Sequence, residues 1–218
     1  MRDRRKDEEY YKTYLDYQYS RIEKKSAKLA ESEGEKKQRI LLSLTGYETD
    51  LLKAEFSYGA SKEDLRSLII HSINIVYENV NITFDDLLTF LSLIIMLEVG
   101  DETKKIVNSN ENTIQHDRLL RYLATYIETG KGEWNNSIPL REEYGLLNRV
   151  FSVGDKVSSL TLYLEKWYKN HSEYAWYNSH LRNTDTYCGY WSFEAGAIAK
   201  ILKVDGEKLS NSEYFPVL

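Results

Sequence analysis

The stretch YCGYWSFEAGAIAKIL, residues 187–202, sets the single cysteine of the chain and a glutamate among four aromatic rings. A cysteine just ahead of a helix can act as a nucleophile, because the helix N-terminus stabilises a thiolate and a nearby histidine can serve as base. Cys188 has that position, and His171 and His180 precede it closely. Against this, Tyr187, Tyr190 and Trp191 surround it, and a lone cysteine among rings packs as a small hydrophobe. The packing reading is preferred, and no residue is assigned a catalytic role.

His171, His180 and Glu194 supply two nitrogens and one oxygen, the donor set of a metal-dependent helical enzyme. The four histidines form no HExxH and a CxxC is absent, so this remains the alternative to a histidine satisfied inside a polar-aromatic core. No metal and no cofactor is expected. Glu194 lies on the face defined by Trp191, Ala195, Ile198 and Leu202. A carboxylate there needs partners, since burying it alone is very costly. His180, Arg182 and tyrosine hydroxyls are the candidates. The triplet Glu102-x-Lys104 with Asp86 upstream has nuclease residue types, but at helix termini rather than on adjacent strands, and is rejected. Gly130-Lys131-Gly132 falls far short of a phosphate loop.

The elements that must position these residues are helical. Ile40, Leu44, Tyr47, Leu51, Ala54 and Tyr58 recur at steps of four and three, which marks one face of a helix. Gly59 reads as its stop, and Ser61 with Asp64 as the cap and acidic first turn of the next, through Val76. Thr83 caps a third helix, FDDLLTFLSLIIMLEV, apolar nearly all round and expected at the centre of the fold. Asp101 is expected to cap a short helix through Val107. Further helices are expected over QHDRLLRYLATYIE (115–128), near 140–150, near 155–170 and in the opening stretch. The first 40 residues carry Tyr10, Tyr11, Tyr14, Leu15, Ile22 and Leu29 among their charges, which predicts a helix docked by aromatics. TGKGEWNNSIP (129–139) is the clearest loop. The expectation is an all-α, multi-helix bundle of two interlocked helical sub-domains, 1–130 and 131–218.

Charge is uneven. Residues 1–40 hold 12 Lys and Arg against 9 Asp and Glu, and the remainder 17 against 25. A basic arm on an acidic body argues against direct nucleic-acid binding by the body and fits a basic protein partner. One cysteine excludes an internal disulfide framework and fits a reducing compartment. The longest apolar run, 87–99, is too short to span a bilayer. A cytoplasmic protein without membrane association is expected, its oligomeric state open.

Three stretches rise above generic helix: WYKNHSEYAWYNSH (167–180), YCGYWSFEAGAIAKILKVD (187–205) and YFP (214–216). Together they resemble the PoNi family of immunity proteins. That family's C-terminal domain shows Trp-Tyr, Trp-Tyr-x-x-His, a Gly-Tyr-Trp-Ser-x-Glu-Ala helix start and a final Tyr/Phe-Pro. RDRRKDEEYYKTYLDYQYSRI, near the N-terminus, is similar to the start of that family's N-terminal helical domain. The resemblance implies a bacterial cytoplasmic protein that neutralises a cognate DNA-degrading toxin of the PoNe type, used in competition between bacteria. It implies that the toxin looks like a PD-(D/E)xK nuclease with a basic DNA groove. The matched residues, Trp176, Tyr177, His180, Gly189, Tyr190, Trp191 and Glu194, are read as fold-defining.

A basic partner makes acidic clusters the natural contact residues: Asp85 and Asp86, Glu98 with Asp101 and Glu102, and Glu142 with Glu143. Each pair can equally be a helix cap or a solvated face.

Overall fold

A computed structural model describes residues 1–100 and 103–218, and all regular structure in them is helical. The chain divides into two compact units built from alternating segments: 1–90, 99–110 and 178–189 form the first, and 91–98, 111–177 and 190–218 the second. Residues 129–139 lie within the second unit.

The first unit is founded on α1 (Glu8–Ala30), α2 (Gly34–Tyr58) and α3 (Lys62–Val76). The aromatic docking expected of the N-terminus is real, with Tyr11, Tyr14, Leu15, Gln18 and Ile22 forming the buried stripe of α1. Arg21 fastens α1 to α2, its guanidinium lying 3.8 Å from the Tyr47 ring centroid and 3.1 Å from the Asp50 carboxylate. Stacking and pairing together suit arginine's planar, weakly hydrated head. Gly59 ends α2 at φ 113°, a left-handed conformation that glycine adopts without a Cβ clash. The Ser61 hydroxyl then accepts the Asp64 N–H and starts α3, as the sequence predicts.

The segment 178–189 is tied to α1 and the N-terminal residues. The Tyr10 hydroxyl donates to the Tyr187 carbonyl at 2.9 Å and accepts the Tyr187 N–H at 3.0 Å. The Tyr187 hydroxyl donates to the buried Asp3 carboxylate.

The helix α4 (Phe84–Leu97) begins with Thr83 and Asp86 capping one another, and its residues from Leu87 to Leu97 are all buried. It is followed by α5 (Lys104–Ser109), in the first unit, and α6 (Glu111–Ile114), in the second. The polar run 108–113 is therefore partly helical, and the expected Asp101 cap lies outside the described residues.

The second unit also holds α7 (Arg118–Thr129), α8 (Leu147–Ser152), α9 (Lys156–Asn170) and α10 (Phe193–Ile201). Asp117 caps α7 by accepting the N–H groups of Leu119 and Leu120. The 129–139 loop is highly organised for a loop. Arg118 donates to the carbonyls of Asn136 and Ile138 and to the side chains of Asn136 and Asn148, while Trp134 stacks on Phe151 at 4.0 Å. Seven consecutive residues of α10, Phe193–Ala199, are buried, so it is a central helix and not the one-sided helix that the Trp191 face predicts.

Candidate functional site

Position 194 draws the second unit's polar groups together. Glu194 sits in the first turn of α10 and is 4% exposed. One of its oxygens, Oε1, accepts three hydrogen bonds: from the Tyr163 hydroxyl at 2.6 Å, the Trp167 indole N–H at 2.7 Å and the Ser192 hydroxyl at 2.6 Å. Tyr163 and Trp167 lie one turn apart on α9, which puts both donors on one face, and Ser192 is the residue at the head of α10. Burial, and then the Glu194 charge, push the Tyr163 hydroxyl well above its ordinary pKa, so it stays a donor. A carboxylate held by three donors at a helix N-terminus is compensated for its burial. The tyrosine partner was expected in kind. In place of the expected His180 and Arg182, the other donors to Oε1 are the Trp167 indole and the Ser192 hydroxyl.

Around this carboxylate the rings close up. Trp167 stacks on Trp176 at 5.4 Å, Tyr168 on Tyr177 at 4.5 Å and Tyr168 on Tyr214 at 5.4 Å. The Tyr190 hydroxyl donates to the Trp176 carbonyl, and the Ser192 N–H to the Tyr214 carbonyl. His171 caps the C-terminus of α9 and is 1% exposed. Its Nδ1 lies 2.6 Å from the Trp167 carbonyl and so carries the proton. Nε2 is buried without a hydrogen-bond partner, facing the rings of Tyr144, Tyr174 and Trp176.

The geometry gives the metal alternative no assembled ligand set among the described residues. His180 belongs to the first unit, its ring 5.9 Å from that of Tyr187. One His171 nitrogen is committed to a carbonyl and one Glu194 oxygen to three donors. Among the described residues no three His, Cys, Asp or Glu side chains are grouped to hold a metal ion.

Cys188 belongs to the first unit and is half-buried, its carbonyl accepting the Ser57 hydroxyl at 2.7 Å and its sulfur 3.8 Å from Asp50. Burial, with the Asp50 charge behind it, pushes the thiol up to about 12. That is the reverse of what a nucleophile needs. Gly189 follows at φ 112°, a conformation open to glycine, which explains a glycine in the motif.

The acidic candidates lie on separate elements. Asp85 and Asp86 are in the first turn of α4, where Asp86 accepts from Thr83 at 2.7 Å. Glu98 follows α4 at φ 56° and pairs with Lys200 at 3.0 Å. Glu142 is exposed in a 3-10 turn, Glu142–Tyr144, and its neighbour Glu143 accepts the Tyr174 hydroxyl. Asp101 and Glu102 lie outside the described residues. The donors to Glu194 that sequence reasoning did not single out are Tyr163, Trp167 and Ser192. Tyr163 could have been found from its four-residue spacing to Trp167.

An all-α protein in which a buried glutamate ties two helices together is what the fold and this site define. A family model described as PoNe immunity proteins (PoNi), C-terminal, matches residues 101–217, over half the chain. The chain belongs to the PoNi family of immunity proteins, which act against PoNe nuclease toxins and are inhibitors rather than enzymes. No curated protein and no solved structure matches the chain. Among the described residues no helix is long and apolar enough to cross a membrane.

Proposed function

We propose that this chain binds its cognate PoNe-type DNase toxin in a stoichiometric complex and so keeps it from DNA. The family match over residues 101–217 carries the reading. The excess of acidic residues beyond position 40 supports it, because such a chain complements a basic nuclease groove or its rim. Its work lies in the cytoplasm, beside the DNA to be protected. Asp85, Asp86, Glu98, Asp101, Glu102, Glu142 and Glu143 are the acidic side chains proposed for the encounter. Inhibition needs no chemistry from the chain, only a surface the toxin prefers to its substrate.

Co-expression with a PoNe-type nuclease toxin as its candidate cognate tests the proposal. Intact cellular DNA and a complex that survives gel filtration are expected. Continued DNA loss without a complex would refute it.

A further inference from the structure

In the first unit, α1 and α3 both pack on α2, leaving a groove between them whose volume is about 1040 Å³. From α1 its wall takes Tyr19, Ile22, Glu23, Ser26, Leu29 and Ala30, the three-and-four spacing of a single helical face. Glu33 extends that wall beyond the helix end, at the start of α2. From α3 and the turn after it come His71, Asn74, Ile75, Tyr77 and Glu78. A smaller recess of about 440 Å³ opens on the other side of Tyr19 and is lined by Glu55, Tyr58, Asp64 and Leu68.

The composition of this groove is that of an interface before its partner arrives. Ile22, Leu29 and Ile75 supply an apolar floor, and Tyr19 stands 47% exposed at the junction of the two recesses. Apolar centres with tyrosines and charged rims mark recognition surfaces. Its charge is one-sided. Five carboxylates line the two recesses, those of Glu23, Glu33, Glu78, Glu55 and Asp64, against one lysine. That lysine, Lys37, is already paired with Glu78 at 2.5 Å. Lys24, Lys25 and Lys28 of the same stretch of α1 are not among the lining residues. Within the groove the Ser26 hydroxyl is buried without a partner.

We infer that this groove receives a basic amphipathic helix of the cognate toxin, apolar face down on Ile22, Leu29 and Ile75, lysines or arginines toward Glu23 and Glu33. The inference rests on the binding function proposed above and assigns it a surface. It follows the helix-in-groove mode, in which apolar anchors at three- and four-residue spacing enter a trough and flanking charges fix register. Glu23 and Glu33 are the rim acids, and Tyr19 is the aromatic anchor.

The test measures binding of a PoNe-type nuclease toxin domain, chosen as one that the full-length chain is asked to neutralise, to the full-length chain and three variants. Glu23→Lys with Glu33→Lys reverses the rim, Tyr19→Ala removes the anchor, and Glu165→Lys changes an exposed charge on α9 as control. The rim variant is expected to slow association about tenfold and to flatten its salt dependence, as loss of electrostatic steering does. Tyr19→Ala is expected to speed dissociation, and Glu165→Lys to match the parent, all with unchanged circular dichroism. If both groove variants bind and protect DNA like the parent chain, the groove assignment is wrong while the immunity function stands. If the parent chain itself neither binds nor protects, both readings fall. Self-association of the parent that the rim variant abolishes would make a second copy the occupant and overturn the proposal.

Discussion

Trp167 and Glu194 are joined by a buried N–H···O bond of 2.7 Å between α9 and α10. The same carboxylate oxygen also holds Tyr163 and Ser192. This junction turns family-motif residues into a mechanical connection between two helices. It gives Glu194 a structural task, because three donors from two helices converge on its Oε1.

Removing that oxygen leaves three buried donors unpaired. Glu194→Ala is therefore expected to destabilise the chain by about 3–5 kcal/mol, combining orphaned donors with a lost charge-assisted network. Glu194→Gln retains a carbonyl acceptor and should cost about half as much. Urea unfolding measures both. Under conditions where Glu194→Gln is folded, its toxin affinity should equal that of the parent chain.

Gly196 lies in the middle of α10, where helix propensity alone would favour alanine by about 1 kcal/mol. A Cβ there would stand 2.7 Å from the Met96 sulfur and 2.8 Å from Pro216 Cγ. Overpacking wins, and Gly196→Ala is expected to destabilise by about 1–3 kcal/mol, read as a lowered urea midpoint.

Glu48 on α2 is 1% exposed, and its partner is the Ser72 hydroxyl at 2.7 Å. Burial raises its pKa above the ordinary 4.5, opposed more weakly by Ser72 and the nearby His71. The folded chain thus holds this proton more tightly than the unfolded chain. This contribution makes stability fall as pH climbs from 4.5 through the raised value. Glu48→Gln should remove that slope and be more stable than the parent at neutral pH, measured by thermal unfolding across a pH series. A parent and variant with parallel pH profiles would show that Glu48 is ionised in the fold.

Cys188 should resist alkylation. With its thiol pushed up to about 12, little thiolate exists at pH 8, and iodoacetamide should label the native chain far more slowly than the unfolded one. Cys188→Ala should bind the toxin like the parent chain, as titration of toxin activity would reveal.

Electrostatic steering predicts that association with the toxin slows as salt rises, while dissociation changes less. Reversing Asp101 and Glu102 to lysine should slow association in the same sense. Stopped-flow or surface-capture kinetics at several ionic strengths check both, and rates indifferent to salt would remove steering from the mechanism.

Helical period, caps and stops are local properties, and the sequence determined them. Ser61, Thr83 and Gly59 act where they were expected because a cap or a left-handed stop depends on a few neighbouring residues. The aromatic docking of α1 and the PoNi motif were readable for the same reason, as patterns of residue type at fixed spacing. Tertiary structure alone decided which groups satisfy Glu194, because Tyr163 and Trp167 lie 31 and 27 residues upstream on another helix. It separated His171 from His180 into different units despite nine intervening steps of chain, which no spacing rule reveals. It also formed the groove between α1 and α3, whose walls are two unremarkable amphipathic stripes until α2 holds them apart. Local chemistry selects the helices, while long-range packing selects their neighbours.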